Sequence, residues 1–212
     1  MDTMNWVVVG AGGLGKEVIC WADHAVRLGV APPIRGYLVD NGYPPLDPSY
    51  NLPRLGGLED YDPLPGDSCL VAVGDPMLKR QIVQRLLARG AKFASLIHPT
   101  AVLAKTAVLG QGCIIYPYAI VSADAVLGDF VTVNSLSGIG HDSKVGAYST
   151  LSAHVDITGG VTVGESVFFG SGARVLPGLS VGHEAKVGAG SVVVRSVPVG
   201  ATVYTNPARR LC

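Results

Sequence analysis

The sequence has little charge of either sign and no excess of one sign. Of its 212 residues only 15% are charged, and 16 lysines and arginines balance 16 aspartates and glutamates. Proteins that bind nucleic acid carry a basic patch or stripe, and because no such block occurs we expect no nucleic-acid partner. A surface this poor in charge has to cover apolar area in another way, and self-association is the simplest.

Long apolar runs and clustered cysteines are also missing. No stretch approaches the roughly 18 apolar residues that a membrane-spanning helix needs, and the first residues lack the basic head and the cleavage site of a secretory signal. The four cysteines form no CxxC pair and have no metal-ligand spacing. We therefore expect a cytoplasmic protein with free thiols, no membrane span and no bound metal.

A six-residue repeat fills the second half of the chain. Every sixth position from Leu103 to Val193 is a large apolar residue, sixteen in succession. The position four residues after each large residue is mostly small, and the position directly after it is often glycine. A period of six fits neither an α-helix nor a simple alternating strand. It predicts a coil of short strands with tight corners, where glycine relieves the turning backbone.

This repeat resembles that of the hexapeptide-repeat transferases. The resemblance implies a left-handed parallel β-helix of triangular cross-section over residues 97–212, with three hexads in each coil and just over five coils. It also implies that the flat faces of the β-helix pack into a homotrimer, which agrees with the low charge content.

Residues 1–96 have a different pattern. Residues 6–9 (WVVV) predict a buried strand, the glycine-rich turn Gly10–Gly15 (GAGGLG) follows, and a helix-like stretch comes next. In this setting backbone N–H groups and a helix N-terminus can hold a phosphate. A tight strand–helix turn without a ligand is the alternative. We expect a mixed fold, in which a small Rossmann-like α/β domain over 1–96 is followed by the β-helix.

Two further predicted strands of this domain end in acidic residues. Residues 34–39 run into Asp40, where an acid commonly contacts the ribose or the base of a nucleotide, and residues 69–73 run into Gly74 and Asp75. The predicted substrate-binding residues are Gly12, Gly13, Leu14, Gly15, Asp40, Gly74 and Asp75. The basic residues of the next predicted helix are expected on a solvated face: Lys79, Arg80, Arg85 and Arg89.

Several segments together resemble one family: VVVGAGGLGKEV near the start, AVGDPMLKRQIVQRLLARGAKFASLIHPTAVL in the middle, and HDSKVG and GGVTVG later. They are similar to the bacterial sialic acid O-acetyltransferases and UDP-4-amino-sugar N-acetyltransferases over essentially the whole chain. The resemblance implies that the α/β domain binds a nucleotide-linked sugar and that the β-helix binds acetyl-CoA between neighbouring subunits. It also implies direct acetyl transfer without an acyl-enzyme.

The same resemblance implies site residues. In the family a histidine base lies seven residues after an asparagine and just before an acid, which Asn134, His141 and Asp142 match. His141 is expected to take a proton from the attacking nitrogen or oxygen, and Asp142 to orient it. Gly159 matches a glycine whose N–H stabilises the thioester oxyanion. The residues expected to bind acetyl-CoA are Asn134, Thr150, Gly159, Ser171 and Ala189. Arg209 and Arg210 are either contacts to CoA phosphates or solvated charges.

The predicted activity is acetyl transfer from acetyl-CoA to the amino group of a UDP- or dTDP-linked 4-amino-deoxy sugar, for surface glycan assembly. O-acetylation of sialic acid or a related sugar is the alternative. A metal hydratase like the gamma-class carbonic anhydrases is a distant alternative. His154 and His183 lie 13 and 42 residues after His141, so the three histidines do not follow the 18-residue register of the coils. A non-enzymatic trimeric scaffold would need neither the glycine turn nor His141.

Overall fold

The first part of the chain forms a parallel four-stranded sheet with two helices. The structure, a computed structural model, describes residues 4–205, so Arg209 and Arg210 lie outside the described residues. The elements are β1 (Asn5–Val9), α1 (Gly13–Arg27), β2 (Ile34–Leu38), β3 (Arg54–Gly56), β4 (Asp67–Val71) and α2 (Pro76–Ala88). The strand order is β3-β2-β1-β4, and all pairs are parallel. Neither helix of the described chain is long and apolar enough to cross a membrane.

The six-residue repeat folds into two-residue strands stacked in three parallel sheets. One sheet contains β5 (Leu96–Ile97), β8 (Ile114–Ile115), β11 (Thr132–Val133), β14 (Thr150–Leu151), β17 (Phe168–Phe169), β20 (Lys186–Val187) and β22 (Thr202–Val203). The second contains β6 (Val102–Leu103), β9 (Ile120–Val121), β12 (Gly138–Ile139), β15 (Asp156–Ile157), β18 (Arg174–Val175) and β21 (Val192–Val193). The third contains β7 (Val108–Leu109), β10 (Val126–Leu127), β13 (Lys144–Val145), β16 (Thr162–Val163) and β19 (Ser180–Val181).

Each strand pairs with the strands 18 residues before and after it, as Thr132 pairs with Thr150. Three hexads therefore make one coil of a parallel β-solenoid. The large residue of each hexad points inward, and these side chains form one continuous core along the solenoid, with Ile139, Leu151 and Phe169 at most 1% exposed. This confirms the hexad register that the sequence predicts.

Serine occupies the small inward position of three successive hexads, at Ser137, Ser143 and Ser149, and bonds backbone groups there. The Ser137 hydroxyl donates to the Ser152 carbonyl at 2.8 Å and accepts from the Val155 N–H at 3.0 Å. Ser143 and Ser149 make the same pair of bonds one and two hexads later. These buried hydroxyls are fully used, so they tie neighbouring coils together without leaving a polar group unsatisfied.

The glycine that follows the large residue is needed for close stacking and not for the turn of the backbone. A Cβ added to Gly128 would lie 2.7 Å from the Ala147 nitrogen of the next coil, and one added to Gly146 would lie 2.5 Å from Gly164 backbone atoms. The left-handed backbone falls two residues later in the hexad, for example at Phe130 with φ 58°. The prediction that glycine relieves the backbone where it turns was therefore wrong. Glycine is needed because a side chain at this position would collide with the next coil.

The predicted fold class, a separate small Rossmann-like α/β domain followed by a β-helix, is wrong. The chain is a parallel β-solenoid with only two α-helices in its described part, and the N-terminal sheet shares its cores with the solenoid. One of those cores joins Trp6 and Val18 to Ile114 and Tyr116, and the other joins Val83 and its neighbours to the corner residue Phe130. The hexad pattern predicts which side chains point inward, but it does not show which outward side chains another element covers.

We expect the shared core to make the unfolding of both parts cooperative. Phe130 is 2% exposed, lies edge-on to Phe93 at 5.0 Å between ring centroids and stacks on Tyr148 at 5.4 Å. Phe130→Ala should lower the free energy of unfolding by about 3–5 kcal/mol, because it leaves a cavity at this junction. Urea unfolding followed by far-ultraviolet circular dichroism measures the change.

Tryptophan fluorescence distinguishes a shared core from two independent units. The chain has two tryptophans, Trp6 and Trp21, and both lie in the N-terminal part. Fluorescence and circular dichroism should give the same lowered midpoint for Phe130→Ala, whereas Tyr204→Ala, at a residue 76% exposed, should change stability by less than about 1 kcal/mol. Separate midpoints for the two signals would contradict the shared core.

Candidate active site

A pocket of about 330 Å³ opens where β1, β2 and β4 end. Six of the seven predicted substrate-binding residues line it: Gly12, Gly13, Leu14, Asp40, Gly74 and Asp75. The carboxyl ends of parallel strands are where open α/β sheets bind ligands. Gly15 is buried and does not line the pocket, because a Cβ there would overlap the Gly10 carbonyl oxygen.

The glycine turn therefore contains two kinds of glycine. Gly10, with φ 113°, and Gly15 are required by the packing of the chain on itself. Gly12 and Gly13 are not, because an added Cβ would meet no atom within 4 Å at either position. Gly12 is the N-cap of α1 and provides no side-chain cap, so the first N–H groups of the helix remain available to an anion.

Charged side chains border the same pocket. One Asp40 oxygen accepts from the Leu58 N–H at 2.8 Å, and the other lies 3.5 Å from the Arg85 guanidinium. The Arg85 Nε donates to Glu59 at 2.7 Å. Asp75 caps α2 by accepting from the Leu78 N–H at 2.8 Å. The pocket thus has hydrogen-bond acceptors beside a cation.

Sequence reasoning missed Arg85, which it placed on a solvated face. Leu78, Ile82 and Arg85 all line the pocket, and their spacing of four and three residues puts them on one face of α2. That spacing, counted from the N-cap Asp75, is the signal that could have identified Arg85. Lys79 was also expected on the solvated face, but it is 1% exposed.

His141 lies at the corner between β12 and β13, and its side chain is 70% exposed. Its Nδ1 is 2.7 Å from the Asp142 Oδ2. Because a carboxylate can only accept, Nδ1 carries a hydrogen, and in the neutral ring the lone pair is then on Nε2. Asp142 reaches this position from the left-handed corner conformation, with φ 58°. The pair is therefore arranged so that Nε2 can accept a proton.

Gly159 lies one coil further along the same corner and supports the His141 ring. A Cβ at position 159 would be 2.5 Å from Nε2 and 2.7 Å from Cε1 of His141. No described residue accepts a hydrogen bond from the Gly159 N–H. The structure thus brings together the predicted base, its carboxylate and the predicted oxyanion donor.

The other predicted acetyl-CoA residues lie elsewhere on the solenoid. Ser171 and Ala189 occupy equivalent positions at the corner that follows the β17 and β20 strands, and the Asn134 side chain accepts from the Ser135 N–H at 2.6 Å near the same edge. Thr150 is 4% exposed and lies against Lys79. Within one chain, only Gly159 of the five lies beside His141.

The pocket and His141 are on different sides of the solenoid. The N-terminal part packs on the sheet that contains β8, β11 and β14, through residues such as Tyr116 and Thr132. His141 lies at the corner between the other two sheets. The pocket of one chain therefore cannot face the histidine of the same chain.

The solenoid thus carries a histidine–carboxylate pair at one corner, and a separate glycine-lined pocket lies on another side. The acetyltransferase domain of PglB from Neisseria gonorrhoeae FA1090 is 34% identical to the chain, covers 98% of it over 99% of its own length, and superposes with a TM-score of 0.85. That domain has also been solved in complex with acetyl coenzyme A.

Two further relatives agree with this likeness. PerB from Caulobacter crescentus, solved with CoA and GDP-perosamine, is 31% identical over 98% of this chain and 97% of its own, with a TM-score of 0.85. UDP-N-acetylbacillosamine N-acetyltransferase of Bacillus subtilis (strain 168) is 38% identical over 112 residues, which are 52% of this chain. The match spans 50% of that curated relative's length. No family model matches the sequence.

The chain belongs to the family of sugar acetyltransferases of the hexapeptide-repeat, left-handed β-helix type.

The contact between Gly159 and the imidazole predicts a strong effect of a single methyl group. Gly159→Ala should displace the His141 ring and lower kcat by about 100-fold, because small misplacements of a reacting group are that costly. The backbone at Gly159 does not have a positive φ, so alanine should leave the melting temperature nearly unchanged. Steady-state release of CoA thiol measures kcat.

Gly138→Ala is the matched control, since an added Cβ there meets only Asp156 Oδ1 at 3.9 Å. Its melting temperature should equal those of the wild type and of Gly159→Ala, so that the loss of turnover in Gly159→Ala reports on the His141 ring and not on folding. Wild-type turnover in Gly159→Ala would show that the ring is not used in the observed position.

Proposed function

We propose that the chain transfers acetyl from acetyl-CoA to the amino group of a nucleotide-linked 4-amino-deoxy sugar. The observation that carries this proposal is the His141–Asp142 pair over Gly159, on a solenoid whose relatives are sugar acetyltransferases. PerB was solved with CoA and GDP-perosamine, and a histidine-to-asparagine variant of perosamine N-acetyltransferase was solved with the same two ligands. The product would serve the assembly of surface glycans.

In the proposed reaction the sugar amine attacks the thioester carbonyl carbon directly. His141 Nε2 takes the proton from the amine as the C–N bond forms, and Asp142 stabilises the resulting imidazolium. The Gly159 N–H donates a hydrogen bond to the developing oxyanion in this proposal. It is a neutral donor with no other partner among the described residues. The C–S bond then breaks, and the CoA sulfur leaves with the proton.

We propose that the pocket at the glycine turn holds the nucleotide of the acceptor. The free N–H groups at the start of α1 suit a diphosphate. Arg85 is paired with Glu59 and Asp40 at the edge of the same pocket, and the Asp40 carboxylate offers an acceptor for a hydroxyl or N–H of the ribose or base. On this division residues 1–96 bind the acceptor, and residues 97–212 bind acetyl-CoA and carry the base.

A homotrimer is part of the proposal, because the pocket and the base of one chain face different ways. A neighbouring copy would supply the missing half of each site. Outward-facing apolar side chains that are 39–61% exposed lie on the two sheets that the N-terminal part leaves uncovered: Val102, Val108, Ile120, Val126 and Val192. Their burial between copies would remove this apolar surface from water.

We place the reaction in the cytoplasm. Cys20, Cys69 and Cys113 are free thiols, as expected in a reducing compartment. The proposed substrates, acetyl-CoA and a nucleotide-linked sugar, are both metabolites of the cytoplasm.

A panel of acceptors tests the activity. We expect CoA release from acetyl-CoA with one 4-amino sugar among UDP-, dTDP-, GDP- and CMP-linked forms. His141→Ala should lower kcat by at least about 100-fold, as expected for the loss of a general base. His183→Ala is the control, because His183 is another exposed corner histidine, whose Nδ1 accepts from the Glu165 N–H at 3.0 Å.

Near-normal turnover in His141→Ala would show that the base is another group. Transfer to hydroxyl acceptors such as sialic acid, with none to amines, would replace this proposal by the O-acetyltransferase alternative.

A further inference from the structure

Lys79 is a buried lysine that bonds only to the solenoid. It belongs to α2 and is 1% exposed. Its Nζ donates to the Thr150 hydroxyl at 2.8 Å, the Thr132 hydroxyl at 2.9 Å and the Phe130 carbonyl at 3.0 Å, and the Ser149 carbonyl lies at 3.4 Å. No carboxylate of the described chain forms an ion pair with it.

This arrangement is costly to bury. Desolvation lowers the pKa of Lys79 to about 7, with Cys113 and Asp75 opposing the shift, because a charge loses its hydration in the interior. An apolar side chain of similar length would fill the same space without that cost. The amine adds directional hydrogen bonds. Because their acceptors are fixed on the solenoid, these bonds form in only one placement of α2.

The two threonines come from successive coils of the same sheet. Thr132 and Thr150 are paired across β11 and β14, so one Nζ is bonded to both coils at once. The next residue of α2 reinforces the placement, because Arg80 lies over the Tyr148 ring at 5.7 Å and 3.8 Å from Glu165. These contacts fix the helix along the solenoid axis and around it.

The same helix lines the pocket at the glycine turn. Asp75, Leu78, Ile82 and Arg85 border that pocket, and Lys79 follows Leu78 directly. A small shift of α2 on the solenoid would therefore move the walls of the pocket by a similar amount. Since the proposed base is also fixed to the solenoid, the placement of α2 sets the distance between pocket and base in an assembled site.

We propose that Lys79 is a positioning residue that anchors the acceptor pocket to the solenoid and so places the acceptor's amine for attack. This inference rests on the proposed function. It implies that loss of the anchor affects the acceptor and not acetyl-CoA, because the predicted acetyl-CoA residues other than Thr150 lie away from α2.

The test compares Lys79→Met, Thr132→Val and Lys92→Met by steady-state kinetics with each substrate varied in turn. Lys79→Met keeps the length of the side chain and removes its donors, and it should lower kcat/KM for the acceptor by at least about 10-fold, with the KM for acetyl-CoA within about twofold of wild type. Thr132→Val removes one acceptor and should give a smaller loss, about threefold, in the same direction. Lys92 is exposed, so Lys92→Met should match the wild type.

Several outcomes would overturn the inference. Wild-type kcat/KM for the acceptor in folded Lys79→Met is one. A KM for acetyl-CoA raised as much as the KM for the acceptor, together with a lower melting temperature, is another, since it would indicate general destabilisation. If Lys79→Met does not fold, Thr132→Val alone tests the inference, and a wild-type kcat/KM for the acceptor in that variant would overturn it. A wild type inactive on the whole acceptor panel would overturn the proposed function and this inference with it, whereas an active wild type with unaffected variants overturns the inference only.

Discussion

The fold depends on backbone hydrogen bonds between successive coils, which set residues 18 positions apart side by side. Each coil stacks on the next through these bonds, so a side chain at one corner always lies beside the residue 18 positions later. This register forces glycine at positions such as Gly146, where an added Cβ would lie 2.5 Å from backbone atoms of Gly164 in the next coil. It also places Gly159 under the His141 imidazole, and the site is thus a consequence of the stacking.

The hexad register does not determine which outer face of the solenoid the N-terminal part covers. The N-terminal part covers one of the three sheets, through Tyr116, Phe130 and the Lys79 contacts to Thr132 and Thr150. Covering that sheet places the glycine-lined pocket on one side of the solenoid and leaves His141 at the opposite corner. The stacking rule and the choice of covered sheet together put the pocket and His141 on different sides of each chain, which is why the proposed site needs two chains.

Periodicity was sufficient to predict the solenoid, because the inward positions repeat without interruption from Leu103 to Val193. It was insufficient for outward positions, whose burial depends on which element packs on them. The predicted separate domain and a solvated Lys79 were wrong for this reason. The residues of the glycine motif line a pocket, but the motif could not separate Gly12 and Gly13, which are open, from Gly15, which packs against Gly10. His141, Asp142 and the residues expected to bind acetyl-CoA came from family resemblance, and their roles remain predictions.

Mixing two inactive variants tests most directly whether each active site is built from two chains. His141→Ala keeps the pocket, and Gly13→Trp keeps His141 while its side chain enters the open space at the glycine turn. Each variant alone should be inactive. Co-expressed in equal amounts, they should recover about a quarter of wild-type turnover, because half of the pockets are intact and half of the neighbouring histidines are intact. No recovery in a mixed oligomer would contradict the account and place the whole site within one chain.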